Sequence, residues 1–488
     1  MNKKVTIRKY HKQQVLDVLQ AIQHAQQEND LQVAQEGVEA LLDFIDNLYN
    51  EDTEIANLLA KHFELLYKLS ICEVDKEHLN KSFDLIKNTI INDFQPNHIE
   101  VVFLLHLASC SDSLETIYLA AQQDPDCDAY WIPLPYYARD ENFAFSFESR
   151  KYEGQEHYPN IQCTSYEEYD IAERRPDAIF TFFMYERNHG INLLDDYLCE
   201  NLKNLTDMLV SVPYYVDIEE FSPNFHFGHP CYEHVHKAII ATEKQRNLIV
   251  KTLCEKLDKD NTMETKKILD KRFVTLGSPK YDKVLNTTRE NSKLPESYAN
   301  LIKDKKVILY ITSVSSIGFY SYDDDEIYFY FANMIEILEY FISRDDVVLW
   351  FRPHPLMQVP MTEEVKEAYM TFIKDRKLNS SFIYDDTADL HRAIAWSDAL
   401  YGDWSSITLL YQVTGKPIMI NRNTRGDLLE GLKPSLDKLG GIRYENENDT
   451  LDNFIEYVLK TDSINYKPTI EANAGKNIYE YIKNLLIH

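Results

Sequence analysis

Two short polar clusters in the sequence carry residue types suited to holding a phosphate ester. In Arg352-Pro353-His354-Pro355 the two prolines forbid helix and keep the chain extended. They present a guanidinium and an imidazole just beyond the apolar run 347–351. In Gly402-Asp403-Trp404-Ser405-Ser406 a small, hydroxyl-bearing turn precedes the helical pattern ITLLYQVTG. Asp403 or Ser405 is the candidate N-cap there, and the free amides of such a helix start suit an anion. Asp403 is equally placed to orient a histidine or to bind a nucleotide. A third segment, Thr312-Ser313-Val314-Ser315-Ser316, follows the apolar run 306–311 and offers hydroxyl donors to phosphate oxygens.

Proton transfer needs a group that titrates near neutrality, and residues 222–236 read SPNFHFGHPCYEHVH, with four histidines and one cysteine. A neutral imidazole takes a hydroxyl proton well. His229, between Gly228 and Pro230, is the first candidate base and His226 the second. The spacing matches no familiar zinc site. Asp323-Asp324-Asp325 invites a D-x-D cation reading, but acids in the first turn of the following helix are what its dipole favours. No metal and no cofactor is expected. Ser111 and Asp112, in a polar loop after the run 99–105, are candidate acceptor contacts, because open α/β sheets bind ligands at their carboxyl edges.

These residues require strands that end beside them. The runs 306–311, 347–351, 381–384, 399–401 and 417–420 are short, near-continuous and apolar, with helical patterns between them, as buried parallel strands read. Similar runs at 99–105, 129–133, 178–183, 209–213 and 238–241 make an earlier set, with a strand and turn at 272–279 after the charged, helical connection 242–274. Aromatic segments at 135–140 and 152–154 read as loops over one mouth of this set. Before it, four amphipathic patterns repeat apolar residues at helical spacing, broken at 28–30, 50–52 and 73–75. The expected fold class is therefore α/β, with two Rossmann-like domains at 98–250 and 270–488. An all-helical region at 1–92 precedes them, open to docking, to a homodimer or to bracing the body.

Composition narrows the function. A formal net charge of -28 argues against nucleic-acid binding, which needs clustered Lys and Arg, and against tight docking to an anionic leaflet. At most peripheral membrane contact is expected. No apolar run approaches 18 residues and no signal pattern opens the chain, so a cytoplasmic location is expected. Seven scattered cysteines without C-x-x-C spacing fit reduced thiols. With 13 glycines and neither G-x-G-x-x-G nor a P-loop pattern, the sequence argues against nicotinamide and P-loop chemistry.

The order strand, RPHP, strand, acidic helix, strand, GDWSS, helix, GKPIMI resembles the C-terminal half of the CDP-glycerol glycerophosphotransferase family, the teichoic-acid type polymerases and primases. Their R-x-H-P matches Arg352, His354 and Pro355. Their T-D-Y-S-S falls on residues 402–406, and their K-P-I on Lys416, Pro417 and Ile418. Their G-x-P-R-x-D appears as Gly277-Ser278-Pro279-Lys280-Tyr281-Asp282. The family's W-H-G motif is absent, and its P-T-x-R element has lost the arginine. The resemblance spans roughly residues 98–488, is strongest from 270 to 421, and leaves out the helical region.

It implies a GT-B fold and transfer of a polyol phosphate from a CDP-activated donor, itself the substrate, to a hydroxyl acceptor on a polyol phosphate or glycan, with CMP leaving. His229 or His226 would be the base. Arg352, His354, Ser405, Ser406, Asp403, Thr312, Ser313, Ser315, Gly277 and Lys280 would face the donor, with protonated His354 stabilising the leaving phosphate. A glycosyltransferase using a nucleotide sugar and a non-catalytic scaffold remain open on the same fold.

Overall fold

A computed structural model describes residues 5–49, 53–71, 76–139, 145–182, 192–193, 197–216, 229–257, 262–313, 324–355, 357–358, 361–376, 381–387, 389–421, 441–461 and 467–488. The chain opens with a strand, β1 (Val5–Arg8), before the four helices α1 (Lys9–Gln27), α2 (Leu31–Tyr49), α3 (Glu54–Ser70) and α4 (Lys76–Asp93). Their apolar stripes meet in a small core of their own that includes Leu19, Val38, Leu59 and Ile86. Thr53 caps α3 by accepting from the Ala56 amide at 3.2 Å.

The first α/β unit continues through β2 (Phe94–Leu105), β3 (Cys127–Pro133), β4 (Tyr136–Arg139), β5 (Phe145–Lys151), β6 (Ala178–Thr181), β7 (Asn192–Leu193), β8 (Met208–Ser211), β9 (Lys237–Ile240) and β10 (Phe273–Thr275). The main sheet is parallel: β3, β2, β6, β8, β9 and β10 lie in that order, and β1 joins the amino half of β2. β4, β5 and β7 form a small antiparallel sheet. The aromatic segment at 135–140, expected as a loop, is thus largely the strand β4, whose Tyr136 hydroxyl donates to Glu153 at 2.8 Å.

β1 ties the helical region to this unit. Val5 pairs with Phe94, and buried Arg8 donates to Asp177 at 2.7 Å and to the carbonyls of Arg174 and Arg175. The helical region is therefore continuous with the first sheet rather than separate from it. At its other end the unit reaches past the expected limit, because β10 pairs in parallel with β9. Its core is completed by the helix Ala474–Ile487 through Ile478, Tyr479, Ile482 and Leu486.

The second unit holds β11 (Lys306–Ile311), β12 (Val347–Arg352), β13 (Phe382–Tyr384), β14 (Ala399–Gly402), β15 (Ile418–Ile420) and β16 (Ile442–Tyr444), all parallel in the order β13-β12-β11-β14-β15-β16. This is a doubly wound sheet whose strand order reverses between β11 and β14, and ligands gather outside the carboxyl ends at such a switch point. Apolar layers cover both faces, one around Met334, Leu338 and Phe341 and the other around Trp350, Leu400 and Tyr411. The helices that place the site are α5 (Glu115–Gln122), α6 (Pro279–Asn286), α7 (Asp324–Ile342), α8 (Leu390–Trp396), α9 (Ser406–Gln412) and α10 (Ala474–Ile487).

Candidate functional site at the carboxyl edge of the second sheet

Three strand ends are laced together at the switch point. Gly402 closes β14 with φ 149°, and a Cβ there would lie 2.2 Å from the Ile311 carbonyl, so only glycine lets β14 run this close to β11. The next residue, Asp403, is fully buried. Its carboxylate accepts from the Ser313 amide at 2.8 Å, the Tyr330 hydroxyl of α7 at 2.6 Å and the Asn421 side-chain amide at 2.9 Å. Asp403 is therefore a strut between β11, α7, β14 and β15, and the helix cap is Ser405 instead. The Ser405 hydroxyl accepts from the Ile407 amide at 3.2 Å, and Thr408 reaches back to the Ser405 amide. Ser406 is exposed at the first position of α9.

β12 joins the same knot. The His354 amide donates to the Thr312 hydroxyl at 2.9 Å, and Thr312 in turn faces the Met357 sulfur at 3.6 Å. Burial pushes the His354 imidazole down to about 4, so near neutral pH it is uncharged here. The expectation of a protonated His354 does not describe this state of the site. An anion brought beside the ring would oppose the effect of burial.

Arg352, expected on the diphosphate, is spent locally. It donates to Asp385 at 2.5 Å and to the carbonyls of Thr387 and Asp389 at 2.7 and 3.3 Å. Asp385 also receives Trp350 Nε1 at 2.8 Å and the Thr387 hydroxyl at 2.7 Å. Burial would raise the Asp385 carboxyl, but the adjacent Arg352 and the hydrogen bonds from Thr387 and Trp350 together outweigh it and hold it below the usual carboxylate range. Lys416 of the GKPIMI motif likewise serves the fold. Its ammonium donates to the carbonyls of Ile394, Ala395 and Ser397 at the end of α8.

Asp112 and Lys280, expected on opposite substrates, are bonded to each other. Lys280 Nζ lies 2.6 Å from Asp112 Oδ1, and His391 Nε2 of α8 lies 2.9 Å from Asp112 Oδ2. All three are at least nine-tenths buried. Burial would raise the Asp112 carboxyl, but the Lys280 ammonium and the His391 hydrogen bond prevail and hold it far below its ordinary range. Gly277 sits in the turn beside Ala474. Ser111, expected with Asp112 as an acceptor contact, lies in the 3₁₀ segment Ala108–Ser113. Because Asp112 follows β2 and His391 follows β13, the carboxyl edges of the two sheets turn toward each other at this point.

His229 follows the carboxyl side of β8. It is buried at 2% exposure, with Nε2 3.4 Å from the Tyr215 hydroxyl and its ring against Tyr232. His226, Ser315 and Asp323 lie outside the described residues. Among the described residues no group of three or more His, Cys, Asp or Glu side chains is arranged to hold a metal, and no helix is long and apolar enough to cross a membrane.

Four residues that shape the site went unnoticed in the sequence: Asp385, Asn421, Tyr330 and His391. The first two directly follow β13 and β15, so the rule that read Arg352 and Asp403 from strand ends would have found them. Tyr330 and His391 lie within helical patterns and carry no such signal.

Two parallel α/β units with their carboxyl edges turned together define a GT-B-like fold. Residues 255–463 match the family described as CDP-Glycerol:Poly(glycerophosphate) glycerophosphotransferase, which bears out over that stretch the resemblance drawn from the motifs. No curated protein matches the sequence. Among solved structures, the chain is similar to the Methanocaldococcus jannaschii UDP-GlcNAc 2-epimerase in complex with UDP-GlcNAc and UDP, at 11% identity and TM-score 0.48, covering 79% of this chain and 100% of that one. It is similar to the UDP-GlcNAc 2-epimerase from Neisseria meningitidis at 12% identity and TM-score 0.46, covering 79% and 100%. It is also similar to a variant of the wall teichoic acid polymerase TagF at 15% identity and TM-score 0.45, covering 88% and 98%.

Proposed function

We propose that this protein transfers a polyol phosphate, of the glycerol phosphate type, from a CDP-activated donor to a hydroxyl acceptor in cell-surface polymer synthesis. The observation that carries this reading is the pair of hydrogen bonds, His354 to Thr312 and Ser313 to Asp403, that laces the strand ends beside the Ser405 cap at the switch point of the second sheet. It lies wholly within the stretch that matches the glycerophosphotransferase family.

In the reaction the acceptor oxygen bonds to the β-phosphorus while the bond from that phosphorus to the bridging oxygen breaks. The acceptor proton passes to a base, and CMP leaves with the electron pair. The donor diphosphate sits over residues 312–313, His354 and residues 405–406, with Ser406 and the edge of His354 as its polar contacts. Asp403 and Arg352 act one step back, by fixing the loops that carry those contacts. His229 and His226 remain the candidates for the base on the first unit.

The test is CMP release and product formation with CDP-glycerol or CDP-ribitol and a polyol-phosphate acceptor. Replacing His354 by Ala removes a preorganised donor and is expected to lower kcat by about 10²–10³. Stabilisation by a UDP-sugar in place of CDP-polyols and CMP, or wild-type turnover in the His354→Ala protein, refutes the assignment.

A further inference from the structure

One joint between the two units is built on α6. α6 belongs to the second unit through Val284, which packs with Leu309 and Trp350. Its charged residues point the other way. Lys280 meets Asp112, Lys283 meets Glu115 at 2.6 Å, and Asp282 accepts from the amides of Ala474 and Gly475 at 3.1 and 2.7 Å. Asp112 and Glu115 follow the carboxyl end of β2, so the joint lies on the substrate-facing edge of the first sheet.

His391 adds a second anchor on the same carboxylate. Its Nε2 meets Asp112, and its Nδ1 is buried with no hydrogen-bond partner among the described residues. Behind it, Asp385, Thr387 and Asp389, which precede α8, are gripped by Arg352. Arg352 stands two residues before His354.

We propose that Asp112, with Lys280 and His391 seated on it, forms the positioning joint of the transfer reaction: it fixes the separation between the carboxyl edges of the two sheets, and with it the reach from the first unit's base to the donor phosphorus held by the second. None of the three residues touches substrate. The proposal rests on the phosphotransfer reading for its catalytic consequence, but not for its structural one.

The balance of charge gives the test. Asp112→Asn keeps the shape and removes the negative charge, leaving the Lys280 ammonium buried with no counter-charge. A buried charge stripped of its partner is strongly unfavourable, and parting the units returns it to water. The expected result is a larger radius of gyration by small-angle scattering and a kcat lower by at least about tenfold, since small misplacements of reacting groups are costly. Calorimetric affinity for CMP should be unchanged, because its contacts lie in the second unit. The double variant Asp112→Asn/Lys280→Met removes both charges, and it should recover the compact scattering profile and part of kcat.

Wild-type kcat in Asp112→Asn, or equal losses in CMP affinity and kcat, overturns the joint as a positioning device. So does a double variant no better than Asp112→Asn alone. Should Asp112→Asn fail to fold, Lys280→Met, which leaves the Asp112 charge buried beside His391, gives the same comparison against the double variant. If the wild-type protein releases no CMP from any CDP-polyol, the phosphotransfer reading falls. The scattering comparison still stands, and identical radii for wild type, Lys280→Met and Asp112→Asn refute the joint itself.

Discussion

Replacing Asp403 by Ala separates a strut from a ligand contact. The carboxylate has no solvent exposure and satisfies three donors, the Ser313 amide, the Tyr330 hydroxyl and the Asn421 amide. Its loss strands all three in a closed site, where each unmet polar group costs about 1–3 kcal/mol. Against this, the variant no longer buries a carboxylate, and water entering the gap recovers part of the loss. The expected net cost is about 3–5 kcal/mol, as for other buried charged groups removed from their partners. Tyr330→Phe takes away one hydrogen bond to a charged group and should cost about 1.5–3 kcal/mol. The two substitutions share one interaction, so the double variant should cost less than their sum.

Urea unfolding followed by tryptophan emission measures this. Trp350, Trp396 and Trp404 lie in the second unit and Trp131 in the first, so the emission reports mainly on the unit that holds Asp403. A cost below about 1 kcal/mol, well short of the loss expected for a buried strut, accompanied by loss of CMP binding, would show that the carboxylate acts on the nucleotide, and the strut argument would fail.

Two further outcomes follow from packing and titration. Gly475→Ala places a Cβ 2.3 Å from Thr116 Oγ1 and 2.6 Å from the Thr116 carbonyl carbon. It should push α10 off α5 and lower stability by about 1–3 kcal/mol, an overpacking cost that thermal melting reads, and an unshifted melting temperature would refute the close contact. Burial pushes His62 and His354 down to about 4, and His106 to about 3. In the unfolded chain these rings take up a proton below about 6.5, while the folded protein refuses it until nearer 4. Stability is therefore expected to fall as pH drops from 6.5 to 4, by up to about 1.4 kcal/mol per pH unit for each ring. His62, held between Gln26 at 2.7 Å and Ser82 at 3.0 Å, offers the control. His62→Gln should flatten the slope in that window, and an unchanged slope would remove His62 from the account.

The second unit was readable because its strands are buried on both faces. Runs such as Val307-Ile308-Leu309-Tyr310-Ile311 carry no polar interruption, and β11 occupies the range the sequence suggested. β1 was not readable. Four residues, VTIR, make no periodic signal, and their partner Phe94 lies across the whole helical region. β4 was hidden by its aromatic, proline-flanked sequence, whose antiparallel pairing with β5 is decided by tertiary contacts.

The site shows the same division. Strand ends drew attention to Arg352, His354, Asp403 and Ser405, all at or beside the laced carboxyl edge. Whether each faces a ligand or a neighbour depends on partners distant in sequence: Asp385 takes Arg352, and Tyr330 and Asn421 take Asp403. Lys280 and Asp112 are 168 residues apart, and no local pattern joins them.

The place of α10 bears on the order in which the molecule is made. Its Ile478, Tyr479, Ile482 and Leu486 fill the core of the first unit, yet they are translated about two hundred residues after β10. At ordinary synthesis rates that interval is roughly 10–40 s. Throughout it the nascent first unit has its sheet but not the helix that seals it, and the apolar patch reserved for α10 faces water or a chaperone. The second unit has meanwhile been synthesised, so the emergence of α10, rather than the sequence order of the two units, sets when the first one can close.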